Sequence, residues 1–278
     1  MLALSPAVVD AVFSAIEGYL PRHVDDHPLG CHNPRTTDRE CFWGILIRLV
    51  TGCSWDVAGR ISETSESTLR RRRDEWERAG VFRAVASEAV TGYDKVIGLD
   101  LTEVAIDGSL HKAPFGGEGT GPNPTDRGKR GWKWSIATDR HGVPFAWVPA
   151  AANENDCTVF APTMRAVLAR GLLVDIETVH LDRGYDTTGV REICSNLGVE
   201  TVTAKIRRRG KDKSERTKRP TTLGMRWPVE RTNSWFSNFG QLRRNTDRYT
   251  RHRESALSLA VALIITIKLV KWAKRWNV

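Results

Sequence analysis

The chain has 278 residues, enough for one large domain or two ordinary ones, each with its own core. With 40% hydrophobic and 27% charged residues the composition is globular, which excludes a disordered chain. Lys and Arg number 42 against 33 Asp and Glu, a net charge of +9, and such an excess favours a polyanionic partner, nucleic acid being the commonest.

Five cysteines, at 31, 41, 53, 157 and 194, form no C-x-x-C pair. That spacing argues against a disulfide framework or zinc knuckle and for a reduced, cytoplasmic setting. Cys31, His32 and Cys41 fit no zinc pattern either. Asp10 interrupts the first apolar stretch, so no signal peptide is expected. The most apolar segment, 256–267, falls short of the ~20 residues that span a bilayer. It reads as a buried core helix, and no membrane partner is expected.

Residues 1–95 read as helices. Ser5-Pro6 starts the first, with Val9, Val12, Phe13, Ile16 and Leu20 at helical spacing. Asp38 is the candidate cap of a second, 39–50, apolar nearly all round, and Thr51-Gly52-Cys53 breaks it. Ser54 caps a short helix around Trp55 and Ile61. Thr64 or Ser65 caps the next, 66–79, and Gly80 ends it. Two short helices about a polar turn, the second rich in arginine, form a helix-turn-helix pattern. Arg70, Arg71, Arg72 and Arg73 span one turn of it. They read either as DNA contacts or as a solvated face paired locally with Asp74, Glu75 and Glu77.

From Val96 the period changes. Val104 to Ile106 is a strand that ends at Asp107-Gly108. A Gly/Pro-rich loop covers 116–124, and 132–138 and 143–149 form a hairpin about Asp139 to Gly142. Asp156 caps a helix through Ala169, residues 176–181 are a strand ending at Asp182, a helix covers about 187–197, and 199–204 is a short strand. Strands alternating with helices predict a mixed sheet with helices packed on it. Trp132 and Trp134 share one strand face, which points to core packing, with stacking on a flipped base as the other use. The Gly-rich run at 116–121 lacks the Gly-Lys-Ser/Thr of a P-loop and reads as a flexible turn or a loop approaching DNA.

Residues 205–219 hold nine Lys or Arg against two acids, +7 in one segment, with Arg207, Arg208 and Arg209 at its centre. Pro228 then opens a helix with Glu230 near its start. Glu230, Asn233, Ser234, Ser237 and Gln241 fall on one polar face, and Trp235 lies on its border. The chain thus divides into a helical region, 1–95, and a mixed α/β domain, 96–278, that carries the basic loop.

Three acids stand at element ends where folding does not need a carboxylate: Asp107, Asp182 and Glu230. Sites form at the carboxyl ends of strands in open sheets, and converging carboxylates repel unless cations sit between them. Magnesium prefers oxygen ligands, and two metals ~3.5–4 Å apart can clamp an in-line phosphoryl displacement.

Three blocks resemble the insertion-sequence transposases of the IS5 group within the DDE class. The first is Ile106-Asp107-Gly108-Ser109, followed by Lys112-Ala113-Pro114, Gly116-Gly117-Glu118 and the run from Thr120 to Lys129. The second is Leu181-Asp182-Arg183-Gly184-Tyr185-Asp186, and the third is Arg226-Trp227-Pro228-Val229-Glu230-Arg231-Thr232. Thr51 to Trp55 and Trp76 to Gly80 resemble the same family's DNA-binding region, so the likeness runs from about residue 35 to 270. The resemblance implies an RNase H-like catalytic core, the catalytic and metal-holding set Asp107, Asp182 and Glu230, and two Mg2+ or Mn2+ ions. It implies binding of double-stranded DNA by a homodimer, with cleavage and strand transfer at the inverted ends of an element. The implied DNA contacts are the arginines at 70–73, Lys112, Lys129, Arg207, Arg208, Arg209, Arg226 and Arg231. The wider class often reads Tyr, two residues, Arg, three residues, Glu, six residues, Lys. Arg226 and Glu230 match, but Leu223 and Ser237 stand where Tyr and Lys would, leaving Arg243, Arg244 or the 205–219 loop for the lysine's phosphate contact. A nuclease on the same fold, or an inactive DNA-binding derivative, are the alternative functions.

Overall fold

The computed structural model describes residues 4–23, 35–203 and 225–276. Cys31, His32, Leu223 and the basic loop with Arg207, Arg208 and Arg209 lie outside the described residues.

Among the described residues five helices precede the sheet: α1 (Pro6–Glu17), α2 (Asp38–Thr51), α3 (Trp55–Ile61), α4 (Glu66–Arg78) and α5 (Val81–Val96). Their starts follow local chemistry. Pro6 opens α1, and the Ser54 and Ser65 hydroxyls accept from the backbone N–H of Val57 and Thr68. The cap of α2 is Thr37, not Asp38. Thr37 and Glu40 exchange side-chain and backbone hydrogen bonds in a reciprocal box, which leaves Asp38 in the first turn. Residues 62–65 join α3 to α4 in the expected helix-turn-helix order.

The sheet is built from β1 (Glu103–Lys112), β2 (Gly121–Pro122), β3 (Arg130–Thr138), β4 (Pro144–Ala151), β5 (Thr178–Leu181) and β6 (Glu200–Thr203). β1, β3 and β4 form an antiparallel meander, with the two-residue β2 on the same edge of β3 as β4. β5 joins β1 in parallel and β6 joins β5 in parallel, so the strands lie in the order β4-β3-β1-β5-β6. This is the mixed sheet of the RNase H-like fold. Helices α6 (Asp156–Leu168) and α7 (Thr188–Asn196) cross between the parallel strands. α8 (Trp227–Ser237), α9 (Gly240–Arg243) and α10 (Thr250–Trp276) follow.

α10 is longer than its apolar centre suggests, because the helix extends over 27 residues. By length and composition it passes as a membrane-crossing helix, yet its residues from Leu257 to Ile265 are all buried within the fold. It packs along α5 and α1 and against β4, so one hydrophobic core runs from the N-terminal helices into the sheet. Trp132 and Trp134 are fully buried in that core, which removes them from any contact with a base.

The Gly-rich segment at 116–121 is anchored rather than loose. Arg253, itself buried, donates to the carbonyls of Gly116 and Glu118, and the Glu118 carboxylate accepts from the Thr250 N–H at the start of α10. Gly117 has φ 106°, and a Cβ there would lie 2.3 Å from the Arg248 carbonyl oxygen, so only glycine fits.

Candidate active site

Asp107 does not end its strand, as its place before glycine suggested. β1 runs on to Lys112, paired with β3 throughout. What ends near Asp107 is the other partner. The parallel register of β5 on β1 covers Glu103 to Ala105 only, and β5 stops at Leu181. Asp107 and Asp182 therefore both stand at the carboxyl end of the parallel pair, where the β1–β5 ladder opens. The glycine after Asp107 answers a close approach: a Cβ on Gly108 would lie 2.5 Å from Asp156 Oδ1.

Asp182 leaves β5 and caps a short 3-10 turn, its carboxylate accepting from the Arg183 N–H. Glu230 comes from the first turn of α8, which Pro228 helps to start. α8 is fixed on the sheet by three contacts. Trp134 Nε1 donates to Asn233 Oδ1 at 2.9 Å, Thr232 Oγ1 donates to the Gly142 carbonyl at 2.7 Å, and Arg231 donates to the His141 carbonyl at 2.5 Å. The predicted polar face is thereby divided. Asn233 is buried, and Gln241 belongs to α9 and bonds Asp247 instead.

The three acids meet at one guanidinium. Arg226 Nη2 lies 3.2 Å from Glu230 Oε1, 3.6 Å from Asp182 Oδ2 and 3.8 Å from Asp107 Oδ2. Asp107 is the most enclosed, its side chain 18% exposed against 44% for Asp182 and 53% for Glu230. Burial pushes its carboxyl up to about 6. That value already includes the opposing pull of Arg226 and of the Gly108 N–H, at 2.9 Å from Asp107 Oδ1, and the smaller upward push of Asp182 and Asp156.

Behind Asp107 lies a pair that the sequence did not mark. Lys133 Nζ, buried, donates to Asp156 Oδ1 at 2.6 Å and to the Glu154 carbonyl at 2.7 Å. The cap of α6 is Asn155, which accepts from the Cys157 N–H, so Asp156 is free to take Lys133. The alternation of β3 puts Lys133 opposite the tryptophan face, and that was the available signal.

The donor set suits a hard divalent cation: carboxylate oxygens only, already drawn around one positive charge. Among the described residues no three His, Cys, Asp or Glu side chains close on a common point tightly enough to hold an ion unaided. At this site the Arg226 guanidinium stands among them.

The remaining predicted contacts separate by exposure. Arg70 and Arg71 on α4 are exposed, Arg70 pairing with Glu66 at 3.6 Å. Arg72 and Arg73 are not DNA contacts in this fold. Arg72 is 3% exposed and held by the Thr36 carbonyl and Asp38, and Arg73 is 8% exposed and held by Asp74 and Asp247. Four consecutive arginines on a 3.6-residue helix cannot share one face, and here two turn inward. Lys112, Lys129, Arg243 and Arg244 are exposed. Arg231 is spent on the β3–β4 turn, with its guanidinium over the rings of Trp227 and Trp235, so it supports α8 rather than reaching a phosphate. Asp100 lies before β1 begins and accepts from the Thr102 hydroxyl at 2.7 Å, apart from the three acids.

A family model described as "Transposase DDE domain" matches residues 98–266, and one described as "Putative transposase of IS4/5 family" matches residues 8–86. A "Putative transposase for insertion sequence element IS402" of Burkholderia cepacia is 38% identical over 151 residues, which span 52% of this chain and 67% of that protein. Solved structures that align with the chain include the piggyBac transposase synaptic complex with hairpin DNA, with 11% identity, coverage of 94% and 71%, and a TM-score of 0.41. A pre-cleavage Mos1 transpososome aligns at 11% identity, with 88% and 82% coverage and a TM-score of 0.28.

Proposed function

Because this chain belongs to the DDE transposases of insertion sequences, on the IS4/5 branch, we propose that Asp107, Asp182 and Glu230 are its catalytic, metal-holding acids for cutting and joining DNA. The observation that carries the assignment is their convergence, within 3.8 Å, on a single cationic nitrogen from three different elements. Acids that far apart in sequence gain nothing for folding by facing one another.

Asp107 and Asp182 would hold Mg2+ or Mn2+ in common, and Glu230 would hold one of the two ions. Bound there, divalent ions neutralise the phosphate and favour the deprotonated nucleophile. The chain's own part is positional. β1 and β5 fix the two aspartates at one end of the sheet, and the Thr232, Arg231 and Asn233 contacts hold α8 so that Glu230 faces them. Arg70 and Arg71 would meet DNA on the outer side of α4. The exposed Lys112, Lys129, Arg243 and Arg244, and the arginines at 207–209, would supply further phosphate contacts. Two ends must be brought together, so the working form is a homodimer on double-stranded DNA, acting in the bacterial cytoplasm at the nucleoid.

The test uses a duplex carrying the inverted ends that flank the gene, in Mg2+ or Mn2+, with a gel shift on the same duplex. Asp107→Asn, Asp182→Asn and Glu230→Gln each abolish cleavage and strand transfer and still bind the ends, while Asp100→Asn keeps most activity. Normal cleavage by any of the first three sinks the assignment. Cleavage without joining by the parent chain marks a nuclease instead.

A further inference from the structure

Arg226 sits where the site's chemistry calls for a metal ion. Its Nη2 contacts all three acids, while its Nε, like those of Arg231 and Arg253, is buried with no hydrogen-bond partner among the described residues. Arg253 and Arg48 put their Nη groups into directed hydrogen bonds, Arg253 to the Gly116 and Asp247 carbonyls and Arg48 to the Cys53 carbonyl and the Thr246 hydroxyl. Arg226 instead spreads one nitrogen over three carboxylates at 3.2–3.8 Å, longer than a charge-assisted hydrogen bond. It is held by the field of the cluster more than by directed bonds.

We propose that Arg226 is a displaceable internal counter-ion: it occupies the acidic cluster in the metal-free protein and must leave it for a divalent ion to bind. This rests on the assignment of the three acids as the metal-holding set. Two consequences follow. Without metal, Arg226 offsets the repulsion among three carboxylates and keeps them converged. With metal, the guanidinium is repelled from the cluster and needs another anion, and a backbone phosphate at the same site supplies one. Metal and DNA then each favour the other's binding, because both draw Arg226 the same way, and such coupling is reciprocal. Arg226 precedes α8 as its cap residue, so the swing needs side-chain rotation and leaves Glu230 in its helix.

The experiment measures Mn2+ binding to the whole chain without DNA, from the electron paramagnetic resonance signal of free Mn2+, beside thermal melting in EDTA and in Mn2+. For Arg226→Gln the proposal expects Mn2+ binding tighter by roughly tenfold or more, since even at the dielectric of bulk water one charge a few ångström from a divalent ion is worth at least about that factor. It also expects a lower melting temperature in EDTA and a larger rise on adding Mn2+ than in the parent. Arg226→Lys keeps the charge and should bind Mn2+ much as the parent does, and it serves if the Gln variant folds only with metal present. Unchanged or weaker Mn2+ binding by a folded Arg226→Gln overturns the proposal, since a supporting residue would lose affinity when removed. Asp182→Asn and Glu230→Gln tell the two failures apart. If they bind Mn2+ like the parent, the carboxylate assignment itself fails; if they lose it while Arg226→Gln gains nothing, only the counter-ion role does.

Discussion

Replacing Asp247 with Asn should cost this protein more stability than any change on the outer side of the helix-turn-helix. Asp247 follows α9 and is buried between the N-terminal helices and the catalytic end of the chain. Its Oδ1 accepts from Arg48 at 3.2 Å and from Arg73 at 3.3 Å, and its Oδ2 accepts from Gln241 at 2.8 Å. The two arginines are 6% and 10% exposed at the side chain, so their charges are screened little by water. Burial pushes the Asp247 carboxyl up, but Arg48 and Arg73 outweigh it and hold the group below its ordinary value. Its stabilisation is therefore present above the unfolded value of ~3.9 and is lost as the pH falls through the folded one. Breaking a buried pair from one side costs about 3–5 kcal/mol. The lower end applies, because Arg48 keeps the Cys53 carbonyl and the Trp55 ring, and Arg73 keeps Asp74. About 3 kcal/mol is a large part of the ~5–15 kcal/mol of a typical domain and lowers the melting temperature by roughly 6–12 °C. Urea unfolding followed by circular dichroism at pH 7 reads it, with Arg71→Ala as the exposed control within about 0.5 kcal/mol of the parent. An Asp247→Asn midpoint as close to the parent as that of the control would refute the claim that this carboxylate joins the two parts of the fold.

The α4 arginines should divide by face. Arg70→Ala and Arg71→Ala weaken binding of the element ends with the melting temperature unchanged, while Arg73→Ala lowers the melting temperature by several degrees; equal loss of binding by all three at full stability would return Arg73 to the DNA face. His252 gives the pH dependence near neutrality. Burial first and Arg73 second hold it down to about 4, with Asp247 and Asp74 opposing, so it is neutral in the fold at pH 5 while the unfolded chain is charged below ~6.5. Stability is full above ~6.5 and falls toward 4, by about 2 kcal/mol at pH 5, and His252→Gln should flatten the unfolding free energy measured between pH 7 and 5. An equally steep fall in the variant would assign it to other groups.

The elements were legible wherever a local signal decides them. Pro6, Ser54 and Ser65 start helices because their own backbone and hydroxyl chemistry does so, and the strand alternation put Trp132 and Trp134 on one buried face. The three acids were legible as a set through motif blocks rather than through spacing, since 33 acids allow many triples. Local pattern could not show that Asp107 lies mid-strand. The opening beside it is made by β5 stopping, which is a fact about a strand more than 70 residues away. Nor could it show which arginines of α4 turn inward. Arg72 and Arg73 are selected by Asp38, Thr36 and Asp247, and the last is 174 residues from Arg73. A charged residue follows periodicity only as far as water is its partner. Once a distant carboxylate or carbonyl is brought within ~3 Å in a water-poor interior, that partner decides where the charge sits, and only the folded chain supplies it.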